Sequence, residues 1–339
     1  MRILLVNHEF TITGASTVFL RLATHLHAQG HDLTVYPCNP ADGPIKPLYA
    51  ELGIAVEDTC ALTGFDLVIA NTVCAAPVVL QTAPHVKTIW FLHETEIGLN
   101  ILLQTPQHAR AFELAAAVIY QTEYQRDVYR SFTYQLDQGK FHIIANGIDP
   151  AQPNLPNVPG KIRSLRIVQV GSVEPRKRPG DLIRAVAYAG MDAELVICGK
   201  YYELDEQARA MVDASPETYR LTGEIVPLEA LAWMASADIY ALVSGSESQP
   251  ISVLEAATLA RPLLLTDLPA YRGIFSHGRN CLLFPPGHVE LLALTLRMYA
   301  ASPRLREEMG TNAQRTARNY SGLAFFERFD ALIRIVNGQ

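Results

Sequence analysis

The sequence is poor in the residues and spacings that hold metals. Its five cysteines, Cys38, Cys60, Cys74, Cys198 and Cys281, are odd in number and show no C-x-x-C spacing. A disulfide framework or a zinc centre is thereby disfavoured, and a reducing compartment fits. Cys74 and Cys198 lie in or beside apolar runs and read as small core residues. No D-x-D triplet, H-E-x-x-H, G-x-S-x-G or G-x-x-x-x-G-K-[ST] occurs. Metal, hydrolase and P-loop chemistry therefore have no support. Positive charge is also short: the net charge is −6 and the pI is near 5.9. Nucleic acid is excluded as a natural partner, because phosphate binding wants a basic face. No apolar stretch reaches the ~18 residues of a membrane span. Met1-Arg2 runs directly into Ile3-Leu4-Leu5-Val6, which leaves no room for a signal peptide. These absences predict a soluble cytoplasmic protein whose membrane contact, if any, is peripheral at the inner face.

What is present fills two cores. The 339 residues are 49% hydrophobic, with a mean hydropathy of +0.10, which suits two domains and argues against disorder. Essentially all of the net negative charge falls in residues 1–155, so an anionic ligand belongs in the second half. Short apolar runs without alternation recur: 67–70, 88–92, 117–120, 142–144, 167–170, 195–197, 239–242 and 263–265. Separated by helical patterns, they predict parallel sheets covered on both faces, a doubly wound α/β architecture formed twice. Pro150, Pro153, Pro156 and Pro159, followed by Gly160, mark a semi-rigid connector. The reading is a first domain at 1–155, a second at 162–318 and a terminal helix at 319–339 crossing back to the first. Leu323, Phe326, Phe329, Leu332 and Ile335 mark the apolar face of that helix.

Four segments carry candidate chemistry. Strand 3–6 leads through a loop to Gly14, which opens a helix with core face Val18, Leu22 and Leu26. A glycine there lets a diphosphate approach exposed N–H groups, or simply shapes the turn. His93 follows the apolar run Trp90-Phe91-Leu92, at the end of a strand where ligands of open α/β sheets sit; a hydrogen-bonding structural role is the plainer alternative. Gly171-Ser172-Val173-Glu174-Pro175-Arg176-Lys177 follows a strand and precedes a helix. Its cations, with Arg178 beside them, suit a diphosphate and the charge that develops on a departing one; otherwise this is a solvated basic loop. Finally, Glu247 lies in a strand-end loop and Glu255 about one turn into a helix. Carboxylates accept hydrogen bonds from vicinal hydroxyls. The N–H groups of Gln249, Ile251 and Ser252 offer donors to phosphate or sugar oxygens. Glu255 has apolar neighbours nearly all round, so its helix reads as buried and its carboxylate as needing a partner.

In this order and spacing the segments resemble the family 4 glycosyltransferases. The likeness includes the Gly14 loop, His93, Asn146-Gly147-Ile148-Asp149 and Gly171 to Lys177. It continues through Thr222-Gly223-Glu224-Ile225, Glu247-x7-Glu255 and Gly278 to Pro285. The resemblance implies the GT-B fold, two facing Rossmann-like doubly wound domains with a cleft between them. It implies a retaining, metal-independent enzyme that moves a sugar from a nucleoside-diphosphate sugar, UDP- or GDP-linked, to a hydroxyl acceptor. That acceptor is a glycan, a lipid-linked saccharide or a small metabolite. No cofactor is implied, since the nucleotide sugar is a substrate. Lys177 would contact the diphosphate, Glu255 the ribose, and Glu247 with Ser248 and the backbone after it the donor sugar. His93 would bond the transferred sugar, Gly14 would admit the diphosphate, and Gly199, Lys200, Glu224 and Ile225 would grip the base. The sequence departs from the family at Ser172, where Arg is frequent, with Arg176 as its partial replacement. It also departs at Ser248-Gln249, in place of Gly-Phe, at Ala260, in place of Gly, and at Thr13, in place of the first of two glycines. A non-catalytic nucleotide-sugar-binding subunit and a nucleotide-sugar epimerase of the same fold stay open on this evidence.

Overall fold

The computed structural model describes residues 1–59, 61–149 and 154–338. The chain forms two compact units. The first is Met1–Gly147 together with Gly322–Gln339, and the second is Ile148–Ser321.

Each unit is built on a parallel sheet. In the first, the strands are β1 (Arg2–Asn7), β2 (Asp32–Pro37), β3 (Ala55–Val56), β4 (Leu67–Asn71), β5 (Thr88–Phe91), β6 (Ala117–Tyr120) and β7 (Phe141–Ile143), in the order β3-β2-β1-β4-β5-β6-β7. In the second they are β8 (Leu165–Val170), β9 (Ala193–Cys198), β10 (Tyr219–Leu221), β11 (Ile239–Leu242), β12 (Leu263–Thr266) and β13 (Leu282–Phe284), in the order β10-β9-β8-β11-β12-β13. The long apolar runs become the central strands because both faces are covered. Leu4, Val6, Val68, Ala70, Trp90, Val118 and Tyr120 pack on one side of the first sheet with Phe112 and Tyr129. Phe91 faces the other side, against Phe325 and Phe329. In the second unit Ile167, Leu195, Ile197, Ile239 and Leu264 share one core, while Val168, Val196 and Cys198 pack on Trp233. The strands outside the apolar runs read from sequence, β3, β10 and β13, are two or three residues long and lie at sheet edges.

Ile148 pairs with Ser321, and its N–H donates to the Tyr320 carbonyl at 2.8 Å, so the two ends of the second unit lie side by side. Pro156 and Pro159 lie in irregular backbone; Pro150 and Pro153 fall outside the described residues, as does Cys60. The terminal helix spans Gly322–Asn337 and belongs to the first unit. Its buried face is Phe325, Phe329, Leu332 and Ile333, whereas Leu323 and Ile335 are 69% and 66% exposed. The face read from residues 323, 326, 329, 332 and 335 is thus wrong at its ends. A step of three residues falls about 60° short of a full helical turn, so five such positions drift off any one face. Cys198 is buried as expected, but Cys74 is exposed on a short 3-10 turn at Val73–Ala75.

Candidate functional site

The strand order of the second sheet reverses between β8 and β11. Loops leaving these two neighbours diverge and open a crevice at their carboxyl ends. Both loops carry the charged residues of interest. After β8 the chain turns through Gly171, whose N–H donates to the Cys198 carbonyl at 2.8 Å. Gly171 and Gly199 have φ of +151° and +154°, a backbone that favours glycine. A Cβ on Gly199 would lie 2.2 Å from the Gly171 carbonyl oxygen, so the loops after β8 and β9 touch only because glycine stands there. A 3-10 turn at Pro175–Lys177 then places two cations, and the helix Pro179–Ala189 follows.

These cations converge on Glu247. Lys177 Nζ lies 2.5 Å from Glu247 Oε1, and an Arg176 guanidinium nitrogen lies 3.7 Å from the same oxygen. Arg176 is itself held by Glu174 at 2.7 Å and by the Ser246 carbonyl at 3.2 Å. The side chains of Lys177 and Glu247 are only 13% and 8% exposed. Burial pushes the Glu247 carboxyl up, but Lys177 and then Arg176 outweigh it and hold the group below the usual carboxylate range. Arg178, read as a third cation, instead pairs with Asp181 at 3.2 Å.

The Glu247 loop ends in the helix Ile251–Thr258, entered through Pro250. Val253, Leu254, Ala256 and Ala257 are buried, and Ser252 Oγ donates to the Val170 carbonyl at 3.4 Å. Ile251 and Glu255 are half-buried. Glu255 therefore stands at the margin of a one-sided helix, not inside one buried all round. Gln249 is buried and Ser248 half-buried in the loop, while Ser172 is half-buried beside Gly171. Lys200 is exposed, with its ammonium 5.2 Å from the centre of the Tyr202 ring. Glu224 is exposed, and Ile225 packs against the Val168, Val196 and Trp233 cluster. The structure thus joins Arg176, Lys177 and Glu247 directly. It sets Gly199, Lys200, Glu224 and Ile225 on the adjoining loops after β9 and β10.

In the first unit, Gly14 is the first residue of the helix Gly14–Ala28, and Thr13 caps it by accepting from the Ser16 N–H at 3.2 Å. The substitution of Thr13 for glycine thereby satisfies one of the orphan donors at the helix start. His93 follows β5. Its Nδ1 meets the Gln121 side-chain amide, and its Nε2 is buried without a partner. Burial, aided by nearby His8, lowers the His93 pKa to about 3, so the ring is neutral. Glu94 accepts from the N–H groups of Val73, at 3.0 Å, and His93, at 3.2 Å. Burial nevertheless pushes its carboxyl above the usual range.

Sequence reasoning missed several polar residues here. Asn7 and Asn71 are buried and bonded at 3.1 Å, and Thr72 holds a φ of +74°, a strained value for a β-branched residue. Their signal was positional, since Asn7 and Asn71 end β1 and β4 and Thr72 follows β4. A buried Arg166–Glu194 pair at 2.6 Å, with the Arg166 guanidinium 5.1 Å from the Trp233 ring, was equally hidden, because both residues lie just before the apolar runs 167–170 and 195–197. Among the described residues no three His, Cys, Asp or Glu side chains gather to hold a metal ion, and no helix is long and apolar enough to cross a membrane.

Residues 156–316 match the family model described as glycosyl transferases group 1. A phosphatidyl-myo-inositol mannosyltransferase of Mycobacterium leprae is 31% identical over 151 residues, 43% of this chain and 40% of that protein. A D-inositol 3-phosphate glycosyltransferase of Jonesia denitrificans is 24% identical, over 62% of this chain and 54% of that one. The chain thus spans about half the length of the curated relatives it matches. Among solved structures, Anabaena HepE in complex with UDP and glucose superposes with a TM-score of 0.82 at 17% identity, over 98% of this chain and 99% of that one. A sucrose-phosphate synthase from Thermosynechococcus elongatus gives 0.73, also at 17% identity, covering 99% of each chain. Likeness of this extent shows the fold: both units are Rossmann-like, and the architecture is GT-B.

Proposed function

We propose, from the match of residues 156–316 to the glycosyl transferases group 1 model, that this chain is a sugar-nucleotide-dependent glycosyltransferase. It moves a hexose from a nucleoside-diphosphate sugar to a hydroxyl acceptor, with retention and without a metal. The observation that carries this reading is the buried Lys177–Glu247 pair, flanked by Arg176, at the switch point of the second sheet. The named activities of the curated relatives and the UDP and glucose held by HepE support it, and they favour UDP as the nucleotide.

The geometry suits such a transfer. Two cations fixed in the crevice neutralise the diphosphate as the bond to the sugar breaks, which is where transition-state charge develops. Lys177 and Arg176 are already placed by Glu247, Glu174 and the Ser246 carbonyl, so little reorganisation is needed when the ligand enters. Glu247 keeps its charge at neutral pH and accepts hydrogen bonds from donor-sugar hydroxyls. Glu255, one turn into the following helix, receives the ribose hydroxyls. In the first unit, His93 offers a neutral ring to a sugar oxygen without adding positive charge. The acceptor O–H bond breaks as the new glycosidic bond forms, and its proton leaves with the departing diphosphate.

A melting-temperature panel of UDP, GDP, ADP and their glucose, galactose and mannose esters tests the reading. A shift with one nucleotide family and its sugar, followed by sugar transfer to an added hydroxyl compound, supports it. Conversion of the donor to an isomer without any acceptor would replace it with an epimerase.

A further inference from the structure

Arg178 holds a left-handed backbone, with φ +50° and ψ +41°, directly after Lys177 and before the helix Pro179–Ala189. Glycine takes this conformation freely, whereas an L side chain takes it at a cost. The turn requires it: the Arg178 N–H donates to the Pro175 carbonyl at 3.1 Å, and its own carbonyl accepts from the Asp181 N–H at 3.0 Å. The local backbone gains nothing from an arginine here, so the side chain must offset the cost through its contacts.

That side chain lies across two other loops. A Cβ built on Gly245 would stand 3.1 Å from Arg178 Nε, and one built on Gly287 would stand 2.9 Å from a guanidinium nitrogen. Both distances are below ordinary van der Waals contact, so the guanidinium rests against bare glycine backbone in the loops after β11 and β13. Asp181 anchors it at 3.2 Å and is itself held by Arg184 at 2.9 Å, which Asp205 grips at 2.7 Å. Next to this contact the Gly245 N–H donates to the Arg176 carbonyl at 2.8 Å, and the Arg176 guanidinium donates to the Ser246 carbonyl at 3.2 Å. The residues on either side of Lys177 thus clasp Gly245 and Ser246, immediately before Glu247.

We propose that Arg178 is a positioning residue. Its guanidinium wedges between Gly245 and Gly287 and fixes the turn so that the Lys177 ammonium rests on Glu247. Arg178 acts through Lys177 and touches no ligand. A lysine is no substitute, because an ammonium group is a point charge without the flat face that lies on the glycine backbone. That Lys177 goes on to serve a departing diphosphate rests on the function proposed above; the wedge itself does not.

The test uses the full chain. Arg178→Gly suits the backbone and removes the wedge, so it is expected to melt no lower than the wild type. Acetylation of the Lys177 ammonium by acetic anhydride, read by mass spectrometry, is expected to rise at least tenfold, while that of Lys161 stays as it was. Arg178→Lys is expected to leave Lys177 exposed in the same way, and added methylguanidine to restore its protection in Arg178→Gly. Gly245→Ala, at a position without a positive φ, raises acetylation of Lys177 in the wild type and adds nothing to Arg178→Gly. With a nucleotide sugar that the melting panel identifies, kcat falls at least tenfold in Arg178→Gly, and methylguanidine recovers part of it. Wild-type protection of Lys177 in Arg178→Gly overturns the proposal. So does a lowered melting temperature with every lysine more reactive, which makes Arg178 a structural residue only. A failed function reading shows separately: no nucleotide sugar shifts the melting temperature of the wild type, while Lys177 still loses its protection in Arg178→Gly.

Discussion

Glu247 and Lys177 depend on each other. Each is nearly out of water, and removing one partner leaves the other as an uncompensated buried charge, which costs about 3–5 kcal/mol in such pairs. Lys177→Met is therefore expected to lower both stability and transfer. The transfer loss should be roughly 10²–10³-fold, as for other preorganised electrostatic groups, measured by single-turnover kinetics beside a melting curve. The pH dependence has a defined sign. The folded pKa of Glu247 lies below its ordinary value of 4.5. Its stabilising contribution is therefore complete above about pH 4.5 and is lost as pH falls through the folded pKa. Acid unfolding of the wild type compared with Glu247→Gln should show the two converge in acid. His93 has the opposite chemistry and the same direction. Its ordinary pKa of 6.5 drops to about 3 on folding, so the unfolded chain takes up the proton first and wild-type stability falls between pH 6.5 and 3. His93→Gln should flatten that slope. At this scale the sequence revealed which side chains to watch but not their pairing. Lys177 and Glu247 are seventy residues apart, and no local pattern says that a cation assigned to phosphate will rest on a carboxylate. Arg178 shows the same limit, since Asp181 one turn away claims it.

Elements were legible where their periodicity was long. The Gly14–Ala28 helix buries Val18, Leu22 and Leu26 as its spacing requires. The terminal helix misled because its apolar residues recur every third position. Only in three dimensions does Phe325, facing Phe91, declare the buried side. Helix ends carry a second lesson. Ala260 stands one residue past the Leu259 cap with a φ of +55°. The Arg261 N–H reaches the Ala256 carbonyl, and the Ala260 N–H reaches that of Ala257, both at 3.0 Å. This is the Schellman arrangement, in which the left-handed position favours glycine. Ala260→Gly should therefore stabilise the protein by ~1 kcal/mol, seen as a rise of about 2–4 °C in melting temperature. At the opposite end of β8 the Arg166–Glu194 pair is buried under Trp233. Arg166→Ala should cost about 3–5 kcal/mol, because Glu194 is then buried alone; a urea unfolding curve measures it.

For the whole molecule, the alternation of apolar strands and helices implies two parallel sheets, and two are present. The edge strands β3, β10 and β13 were not picked out, since two or three residues carry no period of their own, although the equally short β7 was caught by its apolar run. Chain continuity differs between the units. The second is one uninterrupted stretch, 148–321, whereas the first needs 322–339 to cover Phe91. Residues 148–321 expressed alone should therefore unfold cooperatively, and residues 1–147 alone should not, as judged by calorimetry. The same fragment isolates the claim on which everything functional depends, that the crevice between β8 and β11 binds a nucleoside-diphosphate sugar through Lys177 and its neighbours. Calorimetric titration of UDP-glucose into the full chain and into Lys177→Met tests it most directly. One saturable site per chain, weakened at least tenfold in a variant that still unfolds cooperatively, is the predicted result. Equal affinity in both proteins, or no binding of UDP-, GDP- or ADP-glucose by the wild type, would contradict it.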